Sequence, residues 1–156
     1  MSAPRLLEFL DSQHIKYSTI EHSPAYTAQE VAASSHTPGK ELAKSVIVKI
    51  DSQVIMAVLP ASRRINFDRL KQVSGAKTVE LATEREFADL FPDCQLGAMP
   101  PFGNLYDVPV LVDESLTDDE EIVFNACNHH ELIRLAFEDF TELVKPRILA
   151  FTWKPR

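Results

Sequence analysis

Lys44-Ser45-Val46-Ile47-Val48-Lys49-Ile50, Asp51-Ser52-Gln53 and Val54-Ile55-Met56-Ala57-Val58-Leu59 form the stretch on which the fold turns. Two β-branched, apolar runs, Ser45 to Ile50 and Val54 to Leu59, flank a short polar break, a pattern that predicts a β-hairpin. Upstream, Arg5 to Gln13 has apolar residues at 6, 7, 9 and 10 and predicts a short helix. Ile15 to Ile20 alternates, with Ile15, Tyr17 and Thr19 on one side, and predicts a strand. Thr27-Ala28-Gln29-Glu30 has capping-box spacing and opens a helix to about Ser35, before Pro38-Gly39 breaks it. Downstream, Asn66 caps a helix from Phe67 to Val73 that Gly75 stops. Thr78 to Leu81 reads as a strand, and Thr83 to Leu90 as a helix with Thr83 and Glu86 again in capping-box spacing. Val108 to Val112 and Glu121 to Phe124 read as strands, Phe137 to Val144 as a helix stopped by Pro146, and Ile148 to Phe151 as a last strand. This succession predicts an α+β domain with a mixed, mainly antiparallel sheet and flanking helices. No glycine-rich phosphate loop follows any strand, so the Rossmann and P-loop classes lack their signature.

A chain of 156 residues, 45% hydrophobic and 25% charged, fits one domain spanning 1–156 with a real core. The last predicted strand is followed at once by Lys154-Pro155-Arg156, which is compatible with a piece of a longer protein. No apolar run approaches the ~20 residues of a membrane span, and the amphipathic start does not resemble a signal peptide. A cytoplasmic location is therefore expected. Cys94 and Cys127 lie far apart without CxxC spacing, and two free thiols in a reducing compartment is the plain expectation. The net charge of −7 argues against gripping long duplex, DNA included, because such affinity comes from neutralising phosphates with Lys and Arg. It leaves room for a protein that handles only the end of a nucleic acid. Lys40, Lys44, Lys49, Arg63, Arg64, Arg69, Lys71 and Lys77 crowd the middle of the chain, and Asp113 to Glu121 is acidic.

Gly97-Ala98-Met99-Pro100-Pro101-Phe102-Gly103 is the most unusual segment. Its prolines fix φ and lack an N–H, and its glycines permit turns closed to other residues. A stiff loop results, with backbone donors at Gly97, Ala98 and Met99 available to a small polar group, as an oxyanion-type site requires. A rigid surface turn is the plainer alternative. Lys44, at the start of the first hairpin strand, either holds a phosphate as a compact cation or is a solvated strand end. His129 and His130, being adjacent, would face opposite sides of an extended backbone. Together with Cys127 they lack the rest of a metal-ligand set. His22 precedes Ser23-Pro24 at a strand end and is either a loop contact or a pocket residue. No nucleophile-elbow pattern surrounds Ser45, Ser74 or Cys127.

From about Leu6 to Phe151 the chain resembles the YbaK/prolyl-tRNA-synthetase-associated editing family. The resemblance rests on an ordered set of segments. These are Glu21 to Ala32, Ala43-Lys44-Ser45-Val46-Ile47-Val48-Lys49, Ala57-Val58-Leu59-Pro60-Ala61, the Gly97 to Gly103 loop with the family's GxxxP form, Val108 to Asp113, and Phe124-Asn125-Ala126-Cys127-Asn128-His129. It implies a particular α+β fold, no metal or cofactor, and hydrolysis of the ester that joins a wrong amino acid to the terminal adenosine of tRNA. It also implies that Lys44 contacts the tRNA end and that Gly97, Ala98, Met99, Pro100 and Pro101 hold the aminoacyl group, with water as nucleophile. Ser45, His22, His129 and Asn125 are carried over as candidate pocket residues. Cys127 is a departure, standing where related sequences often have glycine. The implied partners are the acceptor end of an aminoacyl-tRNA and, as a candidate, an aminoacyl-tRNA synthetase. Alanine is the first expectation for the amino acid removed, taken from the breadth of the family and from no residue here. A non-catalytic tRNA- or ligand-binding regulatory module of the same fold is the alternative, and hydrolysis of another small ester a third reading.

Overall fold

The computed structural model describes residues 4–22 and 39–153. The helix expected from Thr27 to Ser35, with most of the Glu21 to Ala32 segment, lies outside the described residues. The hairpin is present, as β2 (Ala43–Ile50) and β3 (Gln53–Pro60) in unbroken antiparallel register from Ala43↔Pro60 to Ile50↔Gln53. Asp51 and Ser52 take positive φ at the turn, and the Asp51 carboxylate accepts from the amides of Lys77 and Thr78. Those bonds, Thr78's foremost, hold the Asp51 carboxyl below the usual carboxylate range.

β3 lies within a five-stranded sheet of order β5-β2-β3-β6-β9, where β5 is Val79–Leu81, β6 Val110–Asp113 and β9 Arg147–Leu149. The β2/β3 and β2/β5 pairs are antiparallel, and β3/β6 and β6/β9 are parallel. β1 (Tyr17–Glu21), β7 (Glu121–Asn125) and β8 (Glu131–Ala136) make a second, wholly antiparallel sheet of order β1-β8-β7. A parallel bridge from Leu42 to Val123 links the two sheets. β4 (Arg64–Ile65) pairs with β10 (Thr152–Trp153) in a short ribbon. The expected mixed, mainly antiparallel α+β class therefore holds.

The burial of β3 explains its unbroken apolar run: both of its faces are covered. Met56 and Val58 join a core with Leu6, Leu10, Phe102, Phe124, Ile133 and Phe140. Ile55, Ala57 and Leu59 face a second core with Val48, Leu70, Leu111 and Phe151. The helices among the described residues are α1 (Pro4–Ser12), α2 (Phe67–Ser74), α3 (Glu84–Phe87) and α4 (Phe137–Val144), and side-chain caps open α2 and α3. Asn66 caps α2 through Arg69 N–H, and Gly75, at φ 71°, ends it. Thr83 and Glu86 form the reciprocal capping box of α3. α3 is shorter than expected, because after Phe87 the chain tightens into a 3₁₀ turn, Ala88–Leu90, ahead of Pro92. Buried Asp113 docks the C-terminal segment, accepting from Phe151 N–H and the Thr152 hydroxyl, each at 2.9 Å.

Candidate functional site

β5 covers only part of β2. Its ladder runs from Val48↔Leu81 to Ile50↔Val79, and the Ala82 amide extends it to the Ile47 carbonyl. Among the described residues no strand pairs with Lys44 to Val46 on that side. Alternation along a strand sends Lys44 and Val46 to one face and Ser45 and Ile47 to the other. A depression lies on each face of this open edge. One, of about 250 Å³, is lined by Ser45, Ile47, Ala82, Leu96, Gly97 and Met99 among others. The other, of about 370 Å³, is lined by Lys44, Leu59, Arg64, Ile65 and Phe67. Val46 and Leu81 border both and form the rim between them.

The Gly97 loop is a buried device, in contrast to the surface turn that its composition alone allows. Ala98 to Gly103 are all buried, and only Gly97 is exposed. Phe102 anchors the loop in the main core, its ring centroid 5.5 Å from those of Phe124 and Phe140 and 6.3 Å from that of Phe9. Gly103 follows with the Val108 carbonyl so close that a Cβ would collide with it, and its own carbonyl accepts from Val108 N–H. The expectation of three free amides needs correction. Ala98 N–H donates to the Gln95 carbonyl at 3.0 Å, closing a tight turn that Gly97, at φ 83°, makes feasible. The amides of Gly97 and Met99 donate no hydrogen bond among the described residues, and Pro100 and Pro101 have none to give. Ser45 Oγ, buried at the same cavity, likewise has no hydrogen-bond partner there.

The 126–130 turn props the loop. Its backbone bends, so His129 and His130 do not follow the opposite-face rule of an extended strand. The His129 ring is within 2.9 Å of the Leu96 carbonyl through Nε2, a contact that fixes the proton on that nitrogen. Its Cε1 stands 3.5 Å from where a Cβ on Gly97 would sit. His129 N–H donates to the Gln95 side chain, and Gln95 N–H to the Cys127 carbonyl. Cys127 takes φ 69°, the left-handed region that most readily suits glycine.

Cys94 and Cys127 are joined as a disulfide, with Cα atoms 4.2 Å apart, which overturns the expectation of two free thiols. The 33-residue separation hid a proximity that arises only when the turn after β7 folds onto the segment before Gly97. Tyr106 lies beside the bridge and donates to Asp93, and burial, followed by that bond, pushes its phenol above the usual range. The ligand atoms of Asp93, Cys94 and Cys127 lie within 4.8 Å of one another. With both sulfurs bonded to each other, the carboxylate alone remains to bind a cation. Alkylation of the unfolded protein without reductant is expected to add no label, and after reduction two, read by intact mass. By loop-closure entropy, opening the bridge should lower stability by roughly 3–4 kcal/mol. Two labels without reductant would refute the bridge.

The other expected site residues fall in different places. Ser45, Gly97 and Met99 share one cavity, while Lys44 lines the cleft across the rim. Asn125 ends β7, with its Oδ1 buried and unpaired among the described residues, and lines neither depression. His22 extends the second sheet by donating its amide to the His130 carbonyl. Phe67, Leu81 and Leu96 were not singled out by sequence, and Arg64 only as one of the basic residues crowding the middle of the chain. They reach the site through strand pairing and chain reversal, which no local motif marks.

Comparison with known proteins bears on the fold and the family. The family model described as "Aminoacyl-tRNA editing domain" matches residues 22–143. The proline–tRNA ligases of Bacillus mycoides (strain KBAB4) and Bacillus cereus (strain AH187) are each 26% identical over 100 residues, covering 64% of this chain and 17% of theirs. The chain thus matches under a fifth of the length of these relatives. Among solved structures, hypothetical protein APE2540 aligns with TM-score 0.84 at 20% identity, covering 96% of this chain and 99% of that one. A protein described as a candidate trans-editing enzyme for prolyl tRNA synthetase aligns with TM-score 0.79 at 20% identity, covering 99% and 97%. These two likenesses speak to the fold, and the family match to membership: the chain belongs to the aminoacyl-tRNA editing domain family.

Proposed function

We propose that this protein hydrolyses the ester joining a mischarged small amino acid to the 3′-terminal adenosine of tRNA. The observation that carries this reading is the juxtaposition, across one sheet edge, of a small amide-lined cavity and a cationic cleft. The cavity, at about 250 Å³, is below the ~300–1,000 Å³ of sites for drug-sized ligands. It suits an aminoacyl group with a small side chain, and selection would follow from size. The Gly97 and Met99 amides receive the negative charge that develops on the ester carbonyl oxygen as water adds to the carbon. Ser45 Oγ offers a further polar contact to the aminoacyl group. The bond to the ribose oxygen then breaks, that oxygen takes a proton, and free amino acid and tRNA leave. Lys44, across the rim, binds the acceptor end through its phosphate.

A panel of tRNAs charged with alanine, serine, threonine, cysteine or proline tests the reading. At least one amino acid should be released, and Lys44→Ala should lower kcat/KM roughly 10- to 100-fold, the size of a lost charge-assisted contact. Binding without release across the panel would favour a non-catalytic module, and full activity in Lys44→Ala would remove that lysine from its role.

The pH dependence has a definite sign. Burial, then the neighbouring Arg64 charge, holds the Lys44 ammonium below the ordinary lysine range. Raising the pH therefore neutralises Lys44 earlier than a solvated lysine, and its attraction for phosphate goes with the charge. KM for charged tRNA should rise at alkaline pH while kcat changes less. Lys44→Arg should flatten that rise, since a guanidinium keeps its charge.

A further inference from the structure

The cleft around Lys44 has a composition that a lysine contact alone does not require. Arg64, on β4, is exposed and lines it with Lys44, and among the described residues no carboxylate lines it. None of the ion pairs among the described residues uses Lys44 or Arg64. Lys49, by contrast, is held by Glu86 at 2.6 Å and Glu80 at 3.6 Å, outside the cleft. Two cations facing one depression without a counter-charge cost energy unless an anion joins them. The lowering of Lys44 comes first from burial and then from the Arg64 charge, which places the two cations within reach of each other.

The apolar part of the cleft is also unusual. Phe67 opens α2 with 37% of its surface exposed, and Leu81 at the rim is 60% exposed. Across the β4/β10 ribbon, Trp153 stands opposite Arg64 in register and is 44% exposed. Aromatic and apolar faces beside paired cations are what a single-stranded nucleic acid uses, with bases stacking and phosphates neutralised.

We propose that Arg64 and Phe67, with Lys44, form a nucleotide subsite for the single-stranded 3′ end of an RNA: the phosphate lies between Lys44 and Arg64, and a base stacks on Phe67. The chain then crosses the sheet edge over Val46 and Leu81, which delivers its terminal ribose to the Gly97 cavity on the other face. This subsite rests on the proposed deacylase reading and adds to it two residues and a direction of approach.

The test uses an uncharged acceptor-stem RNA hairpin ending in single-stranded NCCA, and the same hairpin without its last two nucleotides. Phe67→Ala should weaken binding of the full RNA about 5- to 100-fold, the range for loss of one base stack, and Phe67→Tyr should restore it. Arg64→Ala should weaken binding and lower the slope of log affinity against log salt by about one phosphate contact. Neither variant should alter binding of the trimmed hairpin. Adenosine monophosphate serves as competitor: displacement of the RNA at micromolar concentration would identify a free-nucleotide site and overturn the RNA assignment. So would wild-type binding by Phe67→Ala and Arg64→Ala, or equal losses on the full and trimmed RNA. Because the RNA carries no ester, these results separate from the deacylation panel. Release of amino acid by a protein whose Arg64 and Phe67 variants bind normally would overturn the subsite and leave the deacylase standing.

Discussion

Gly97→Val should lower kcat for ester hydrolysis by about 10²- to 10³-fold, with a smaller change in KM. The cause is backbone conformation rather than space. Gly97 sits at φ 83°, and among the described residues a Cβ there would meet only the His129 ring, at an ordinary 3.5 Å. A β-branched residue strongly resists that region, at a cost of order 1–3 kcal/mol. The loop relieves the strain by rotating, which displaces the Gly97 amide and loosens the turn closed by Ala98 N–H on Gln95. Misplacing a catalytic donor by about 1 Å is sufficient for a 10²-fold loss. Gly97→Ala should fall in the same direction and less far. Met99→Ala is the informative contrast. Its side chain is 5% exposed, so truncation should cost roughly 2–5 kcal/mol of stability while leaving the amide in place. Steady-state kinetics on folded protein decide the matter: a Gly97→Val enzyme with unchanged kcat, or a Met99→Ala enzyme with the larger kcat loss, would remove the backbone amides from the mechanism.

Phe102→Ala should cost about 3–5 kcal/mol, a large share of the ~5–15 kcal/mol that holds a domain together. Phe102 is fully buried and joins three elements at once: α1 through Phe9, β7 through Phe124 and α4 through Phe140. Loss of the ring leaves a cavity and removes edge-on aromatic contacts beyond the area buried. The same residue lies within the loop that carries the candidate site, so that site should loosen before the fold melts. Urea unfolding should show a lower midpoint, and the folded variant should show reduced kcat. An unchanged midpoint would mean that the loop is not held through its aromatic anchor.

Features decided within a few residues were legible in the sequence. Asn66 and Gly75 bounded α2, Thr83 and Glu86 opened α3, and the hairpin about Asp51-Ser52 was readable from its two β-branched arms. Features decided by distant partners were not. Glu131–Ala136 forms β8, yet its burial does not alternate cleanly, and it is a strand because β1 and β7 flank it. β4 and β10 are two residues each and exist through each other. Composition and strand position drew attention to the Gly97 loop and Lys44, and the resemblance gave them their expected roles, whereas the spending of Ala98's amide inside the loop, the Cys94–Cys127 bridge and the approach of Arg64 depend on chain reversal. The separation of Lys44 from Ser45 onto opposite faces was implicit in strand alternation, but which face carried the amides required the fold.

The pairing of β1 with β8 also bears on how the molecule is made. Tyr17 meets Leu135 and Glu21 meets Glu131, so strands near opposite ends of the chain close one sheet. α1 adds Leu6 and Leu10 to the same core as Phe124, Ile133 and Phe140. During synthesis the N-terminal segment must therefore wait, with apolar residues uncovered, until β7, β8 and α4 have emerged. Such long-range closure carries an entropy cost that slows folding. The amide-bearing loop, supported by Phe102 and by the turn after β7, should be among the last parts of this domain to take its final form.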